Sequence, residues 1–366
     1  MMPLFPRSRA TGLSCRAAAF ALVVALTTSS RNVSAEPPPS ASPVSSPSSS
    51  PSSTTSSAPE PYGFQPLRTP PVNQPLYSKA VGLGMIGGLY GVVYTWTYFA
   101  WYKNRATTED IVWEDEGLFG PDTYAGGSDK LGHMWGNYII SRWTANVLAT
   151  GGWEPLPRTL IATSTTMAFF TMIELKDGYH KGFGFSWWDM AFNTAGNVLA
   201  AGMILAPRLD EMFDFKVYYL PTRAYLRSLT QRGVVDAGED YSGQKFTLAY
   251  HLTSIDAIKR DPSLQWLRYI DITLGYQSKN YLPEPVSANT DRLQEVSLGV
   301  AFDFQHLLDV LYDWDRSPRG HVHSSLRFFL EGFGVPYTNP YLIKYQKNNG
   351  PAPPEEDADD EQSEDP

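Results

Sequence analysis

A chain of 366 residues with a formal net charge of −9 and a single cysteine has length enough for one large or two modest domains. Its acidic balance, with no basic stripe, excludes nucleic acid as a partner, and the lone cysteine excludes a disulfide framework and a thiolate metal centre. Any site must therefore be built from His, Asp, Glu, Asn and hydroxyl groups.

Residues 1–35 read as a secretory leader: Arg7, Arg9 and Arg16 precede an apolar run at 17–26, and small residues follow up to Ala35. The run is about ten residues, far short of the about 20 that span a bilayer, so cleavage after Ala35 is expected. Cys15 lies ahead of the apolar run, where lipid modification does not occur, and leaves with the leader. Residues 36–60 are almost wholly Pro, Ser, Thr and Ala, with nothing to bury against the entropy of ordering, and form a disordered tether. The tail at 350–366 carries eight acids and no base and is expected to be disordered. Without the leader's four arginines the charge falls to about −13, and without the tail's acids it returns to about −5.

The body divides near Leu209 into a helical domain, 61–208, and a β-rich domain, 209–349, which together make an α+β protein: a bundle of about four apolar helices followed by a small antiparallel sheet with short helices. Residues 80–101 are uncharged, flanked by Lys79 and Lys103 and rich in Tyr and Trp, the signature of a membrane helix; a helix buried all round is the competing reading. Further helices are expected at 131–149, 158–175 and 187–205. Their uncharged runs are at or below the length needed to span, which suits a compact bundle at least as well as a bilayer.

The polar residues of these helices fall at their ends. Ser128, Asp129, Lys130 and His133 open one helix, with Asp129 and His133 four apart on one face. Glu174 and Asp177 close the next, and Ser186, Asp189 and Asn193 open the one after. Capping explains some of these: SWWD at 186–189 fits a capping box, and Ser128 fits an N-cap. Glu174 and Asp177 resist that account, because the carboxyl end of a helix disfavours negative charge by about 0.3–1 kcal/mol. Lys176, His180 or Lys181 could compensate at the surface; His133, Lys130 or a bound cation could do so inside. If the three ends converge, Asp129, His133, Glu174, Asp177 and Asp189 make a set of oxygen ligands and one imidazole able to hold one divalent cation.

The pattern of Ser128, Asp129, Lys130, His133, Glu174, Asp177, Gly184, Ser186, Trp187, Asp189 and Gly196 resembles the YfiM-like family of periplasmic lipoproteins, a domain of unknown function, over about 129–202. It is more distantly similar to VanZ-like membrane proteins. The segments EDYSG at 239–243 and LGY at 274–276 look like the extension of longer members of the first family. Two features depart from that pattern: the lipidated cysteine of shorter members is missing, and Asn193 stands where some relatives have a second acid, which weakens a two-metal site. The resemblance implies an exported protein of the periplasm or cell-envelope membrane, the outer membrane included, and brings no reaction with it.

Strands are expected at 215–220, 245–252, 269–277 and 295–304, helices at 305–314 and 324–333, and a last strand at 341–345. Ile270, Ile272 and Leu274 alternate with Asp271 and Thr273, which assigns one buried and one wet face. His321 and His323, two apart, would share a face on a strand and read as a surface pair. Three functions stand: an envelope protein that contacts membrane lipid and carries a polar site of unassigned role; a metal-dependent hydrolase acting on a lipid or cell-wall precursor; and a non-catalytic scaffold that recruits a protein partner through the β-rich domain. No Gly-Xaa-Ser-Xaa-Gly elbow, phosphate loop or zincin motif occurs in the body.

Overall fold

The computed structural model describes residues 75–103, 105–232, 237–281, 290–314 and 321–351; the leader, the tether and nearly all of the acidic tail lie outside them. The described chain is α+β, with its long helices first and a six-stranded sheet after them.

Helix α1 (Lys79–Thr97) starts where Ser78 Oγ accepts from Val81 N at 3.3 Å. It passes directly into a π-helical turn at Tyr98–Tyr102. The membrane span expected here is corrected: no helix among the described residues is long and apolar enough to cross a membrane. The hydroxyls of Thr95 and Thr97 bond back to the carbonyls of Gly91 and Val93 just before the ladder slips, a habit that bends helices. Nor are the tyrosines simply interfacial. Tyr90 bonds Thr144 and Thr166 on neighbouring helices, and Tyr102 bonds Asp177. The helix is not buried all round either, because Val81, Leu83, Val92 and Phe99 are exposed.

A two-residue strand β1 (Trp113–Glu114) precedes helices α2 (Ser128–Thr150) and α3 (Pro155–Asp177). A second, β2 (Phe185–Ser186), pairs parallel with β1 and leads into α4 (Trp187–Leu205). The expected helices thus form, α2 and α3 each starting three residues earlier and ending one or two later. Pro155 and Pro157 suit the first turn of α3, where no intrahelical donor is needed. Helix α2 packs on both α3 and α4. At Gly196 of α4 an added Cβ would overlap the Met134 carbonyl of α2, so only glycine permits this approach. The interior expected to be apolar holds a seam of buried amides: Ser141 Oγ donates to Asn197 Oδ1 at 2.6 Å, and Asn197 Nδ2 to Asn137 Oδ1 at 2.7 Å.

After the short α5 (Pro207–Met212) come β3 (Phe213–Tyr219), α6 (Arg223–Arg232), β4 (Gln244–His251), α7 (Asp256–Arg260), β5 (Ile270–Lys279) and β6 (Leu293–Phe302). Helices α8 (Phe304–Trp314) and α9 (His321–Gly332) and strands β7 (Phe333–Gly334) and β8 (Tyr341–Asn348) complete the chain. The sheet order is β7-β3-β4-β5-β6-β8. The pairings β3–β4–β5–β6–β8 are antiparallel as expected, while β7 joins β3 in parallel. Tyr138 and Ile139 of α2 and Ala200 and Met203 of α4 form one buried cluster with Phe215, Val217 and Phe246 of β3 and β4. Each large apolar side chain enclosed there contributes about 1.5–3 kcal/mol, so one core spans helices and sheet.

Beyond that contact the expected faces are exchanged. On β5 it is Asp271 and Thr273 that are buried, each 1 % exposed, while Ile272 and Leu274 are 36 and 54 % exposed. Leu274 lies in a cross-strand row with Leu248, Leu298 and Ile343, all exposed. Helices α2 and α4 cover the apolar face at β3 and β4, and α2 also reaches the end of β5 through Ser128 and Ser278, while the opposite face carries buried polar groups. His321 and His323 lie on α9 rather than on a strand. The His323 ring bonds Asp309 Oδ1 of α8 at 2.7 Å.

Candidate functional site

The three helix ends do meet. Helix α2 begins after Gly127, whose φ of 86° lies in the left-handed region and whose missing Cβ leaves room for the Phe119 ring. Ser128 is therefore not the N-cap. Its hydroxyl is 2.7 Å from Ser278 Oγ and accepts from Ser278 N at 3.2 Å, which ties the helix start to β5. Ser186 does cap α4, accepting from Asp189 N at 3.2 Å. The Asp189 carboxylate does not complete the box and turns to Lys130 Nζ at 2.8 Å.

Lys130 is fully buried and is held by Glu116, by Asp189 and, at 3.5 Å, by Asp129 Oδ2. The pull of Asp129, Asp189 and Glu116 outweighs the burial that opposes its charge, and its pKa rises. His133 keeps 16 % of its side chain exposed. Its Nδ1 lies 3.1 Å from Asn193 Oδ1 and 3.4 Å from Glu174 Oε1, and its Nε2 lies 3.7 Å from Asp129 Oδ1. Burial works against its charge, yet Asp189, Asp129 and Glu174 raise it to about 9.

The carboxylates carry the opposite strain. Burial pushes Glu174 up to about 8, with Asp189, Asp177 and Asp129 adding to the rise and His133 opposing it. Asp177 is raised by burial to about 7 despite the hydroxyl of Tyr102, which donates to its Oδ1 at 2.8 Å. Asp189 is raised by burial, and next by Asp129, to about 6. Glu174 Oε1 has no hydrogen-bond partner. Ligand atoms of Asp129, His133 and Asp189 all lie within 4.8 Å of one another, near enough for one ion.

Two questions posed by the helix-end charges are thereby answered. Glu174 faces His133 inside, whereas Asp177 accepts from a phenol and has no ion pair among the described residues. Lys176 lies over the rings of Tyr98 and Tyr102 at 4.7 Å, and His180 Nδ1 lies 2.6 Å from the Lys176 carbonyl. Asp129, Lys130, His133, Asp189 and Asn193 are brought together with Glu174 beside them; Asp177 stands at the rim on Tyr102, and Ser186 acts through its cap. The turn after α3 is stitched to 106–112 by backbone bonds, Thr108 N to Tyr179 O and Val112 N to Gly178 O among them.

Glu116, Tyr102, Asn137 and Tyr241 belong to the cluster and have no helix-end signal in the sequence. Asn137 Nδ2 donates to Asn193 Oδ1, and the Tyr241 hydroxyl donates to Asp129 Oδ1. The signal that could have found Tyr241 is the EDYSG segment around it, as LGY contains Tyr276, whose hydroxyl donates to the Gly126 carbonyl. Around this end of the helices, Tyr98, Phe99, Trp113, Trp187 and Trp188 are exposed, and the Trp113 ring stacks on Trp187 at 6.0 Å.

Residues 115–205, about a quarter of the chain, match the model of the family described as predicted periplasmic lipoprotein (DUF2279). The match covers every helix-end residue of the site and bears out the family resemblance and the periplasmic or envelope address. No curated protein and no solved structure matches the chain.

Proposed function

We propose that this envelope protein works against a membrane surface as a hydrolase of an amphiphilic substrate, a lipid or a lipid-linked cell-wall precursor, with one divalent cation on Asp129, His133 and Asp189. The observation that carries the reading is the convergence of those three residues' ligand atoms within 4.8 Å beside carboxylates whose ionisation burial opposes. A site that resists its own negative charge gains most from a cation.

A bound divalent ion would supply Lewis acidity and lower the pKa of a coordinated water. The chain's own groups supply the rest. Asn193 Oδ1 accepts from the Nδ1 side of His133, which fixes the ring and turns Nε2 toward Asp129. Glu174, raised to about 8, holds a proton at neutral pH and is the group suited to give one to a leaving group. Lys130 is too deeply buried to touch substrate and balances Asp189 and Glu116. The exposed aromatics beside the site favour a lipid interface, where such rings settle.

The test is elemental analysis of the full chain purified without chelator, with vesicles of phosphatidylethanolamine and phosphatidylglycerol as substrate and binding surface. Asp189→Asn keeps the backbone donor of the cap and should retain helix content while losing one equivalent of metal and all release of head group or acyl chain. A metal count and a product yield unchanged in that variant would refute the reading. The scaffold reading has one observation in its favour: β8 is a sheet edge whose Tyr341, Leu342, Ile343 and Tyr345 are all exposed, the form of surface to which a partner strand adds.

A further inference from the structure

The polar face of the sheet encloses a second group of ionisable side chains, away from the helix-end cluster and unexplained by it. Asp214 lies on β3, His251 on β4, Asp271 on β5 opposite His251, and Asp303 between β6 and α8. All four are buried, at 0–2 % exposure. His251 Nε2 is 2.9 Å from Asp214 Oδ2; its Nδ1 is 2.8 Å from Asp271 Oδ1 and 3.6 Å from Asp303 Oδ2.

Two observations set this group apart from a closed ion-pair network. Asp271 Oδ2 and Asp303 Oδ2 are wholly buried and have no hydrogen-bond partner, and the second of these faces the His251 ring. A buried carboxylate oxygen that accepts no hydrogen bond is costly, and native proteins seldom leave one so. The charges also fail to balance. Lys216 Nζ, 3.1 Å from Asp214 Oδ2 and 4.0 Å from Asp271 Oδ2, supplies one positive charge against three carboxylates. Arg142, near enough to act on Asp214 by its charge, is committed to Asp210 and Glu331. With the charged imidazole that Asp271 and Asp214 favour the cluster retains one negative charge, and with the neutral imidazole a metal would need it retains two.

We propose that His251, Asp271 and Asp303 form a structural site for a divalent transition ion, Zn2+ or Mn2+. Their ligand atoms lie within 4.8 Å of one another, and one imidazole with two carboxylates is a donor set both ions accept. Coordination through Nδ1 leaves Nε2–H to donate to Asp214, the carboxylate–histidine–metal arrangement that holds a ligand ring in place. The ion would cancel the residual charge and fasten β4 and β5 to the start of α8. Because the group is enclosed, loading accompanies folding.

The full chain, produced in zinc-supplemented medium, tests this by metal count and by the state of the His251 ring. Asp303→Asn should lose one equivalent of Zn2+ that Asp189→Asn retains, which separates this site from the helix-end site whatever the fate of the latter. An unchanged count in folded Asp303→Asn overturns the proposal. Should Asp303→Asn fail to fold, 15N spectra of the imidazoles in the unsubstituted chain decide. A His251 ring with a proton on Nε2 and zinc on Nδ1 supports the site, and a ring protonated on both nitrogens, an imidazolium bridging Asp214 and Asp271 with no metal, overturns it.

Discussion

Replacing Glu174 by Gln tests whether the helix-end cluster stores unfavourable charge. The folded pKa of Glu174 is about 8 against an ordinary 4.5, so between those values the folded chain binds a proton that the unfolded chain has released. Stability is then fully present below about pH 4.5, falls as pH rises, and levels off above about 8. One such proton gives a slope of about 1.4 kcal/mol per pH unit. Asp177, raised from 3.8 to about 7, and His133, raised from 6.5 to about 9, contribute in the same direction. Glu174→Gln keeps the shape and removes one titrating group, so it should flatten the decline between pH 5 and 7.5 by up to about 3 kcal/mol. It should also lower the pKa of His133, which loses an attractive charge 3.4 Å from Nδ1. The assay is urea unfolding in the presence of chelator at a series of pH values, with His133 followed by NMR. A slope identical in variant and parent, or a stability that rises across this range in the parent, would refute the reasoning.

Gly196→Ala should destabilise by about 3 kcal/mol or more by forcing α2 and α4 apart at the Met134 carbonyl, read as a lower melting temperature. Lys130→Met should cost about 3–5 kcal/mol, because Glu116 and Asp189 would be left buried without their cation; chemical unfolding at pH 7 measures it. Tyr241→Phe should cost about 1.5–3 kcal/mol by removing a hydrogen bond to a carboxylate, and hydrogen exchange should then rise at the start of α2.

The sequence alone determined the address, the existence and order of the long helices, and the residues that gather at their ends. Those features are local or periodic. The family pattern behind the address is a linear run of residues, an apolar run bounded by Pro and Gly sets a helix, and short connections between helices bring Glu174 near Asp189. Tertiary structure alone decided which charge answers which. Glu116 and Tyr241 reach Lys130 and Asp129 from 14 and 112 residues away, and nothing in local spacing encodes such a contact. It also decided what the apolar runs are for. The tyrosines of 80–102 look the same in sequence whether they meet lipid or other helices, and only the placement of Thr144, Thr166 and Asp177 opposite them chooses. The sheet shows the same limit. Alternation on β5 separates Ile272 and Leu274 from Asp271 and Thr273, but period two fixes only that the sets oppose each other. Which set is enclosed depends on what packs against each face, and here the charged set takes the inside while the leucine row stays open.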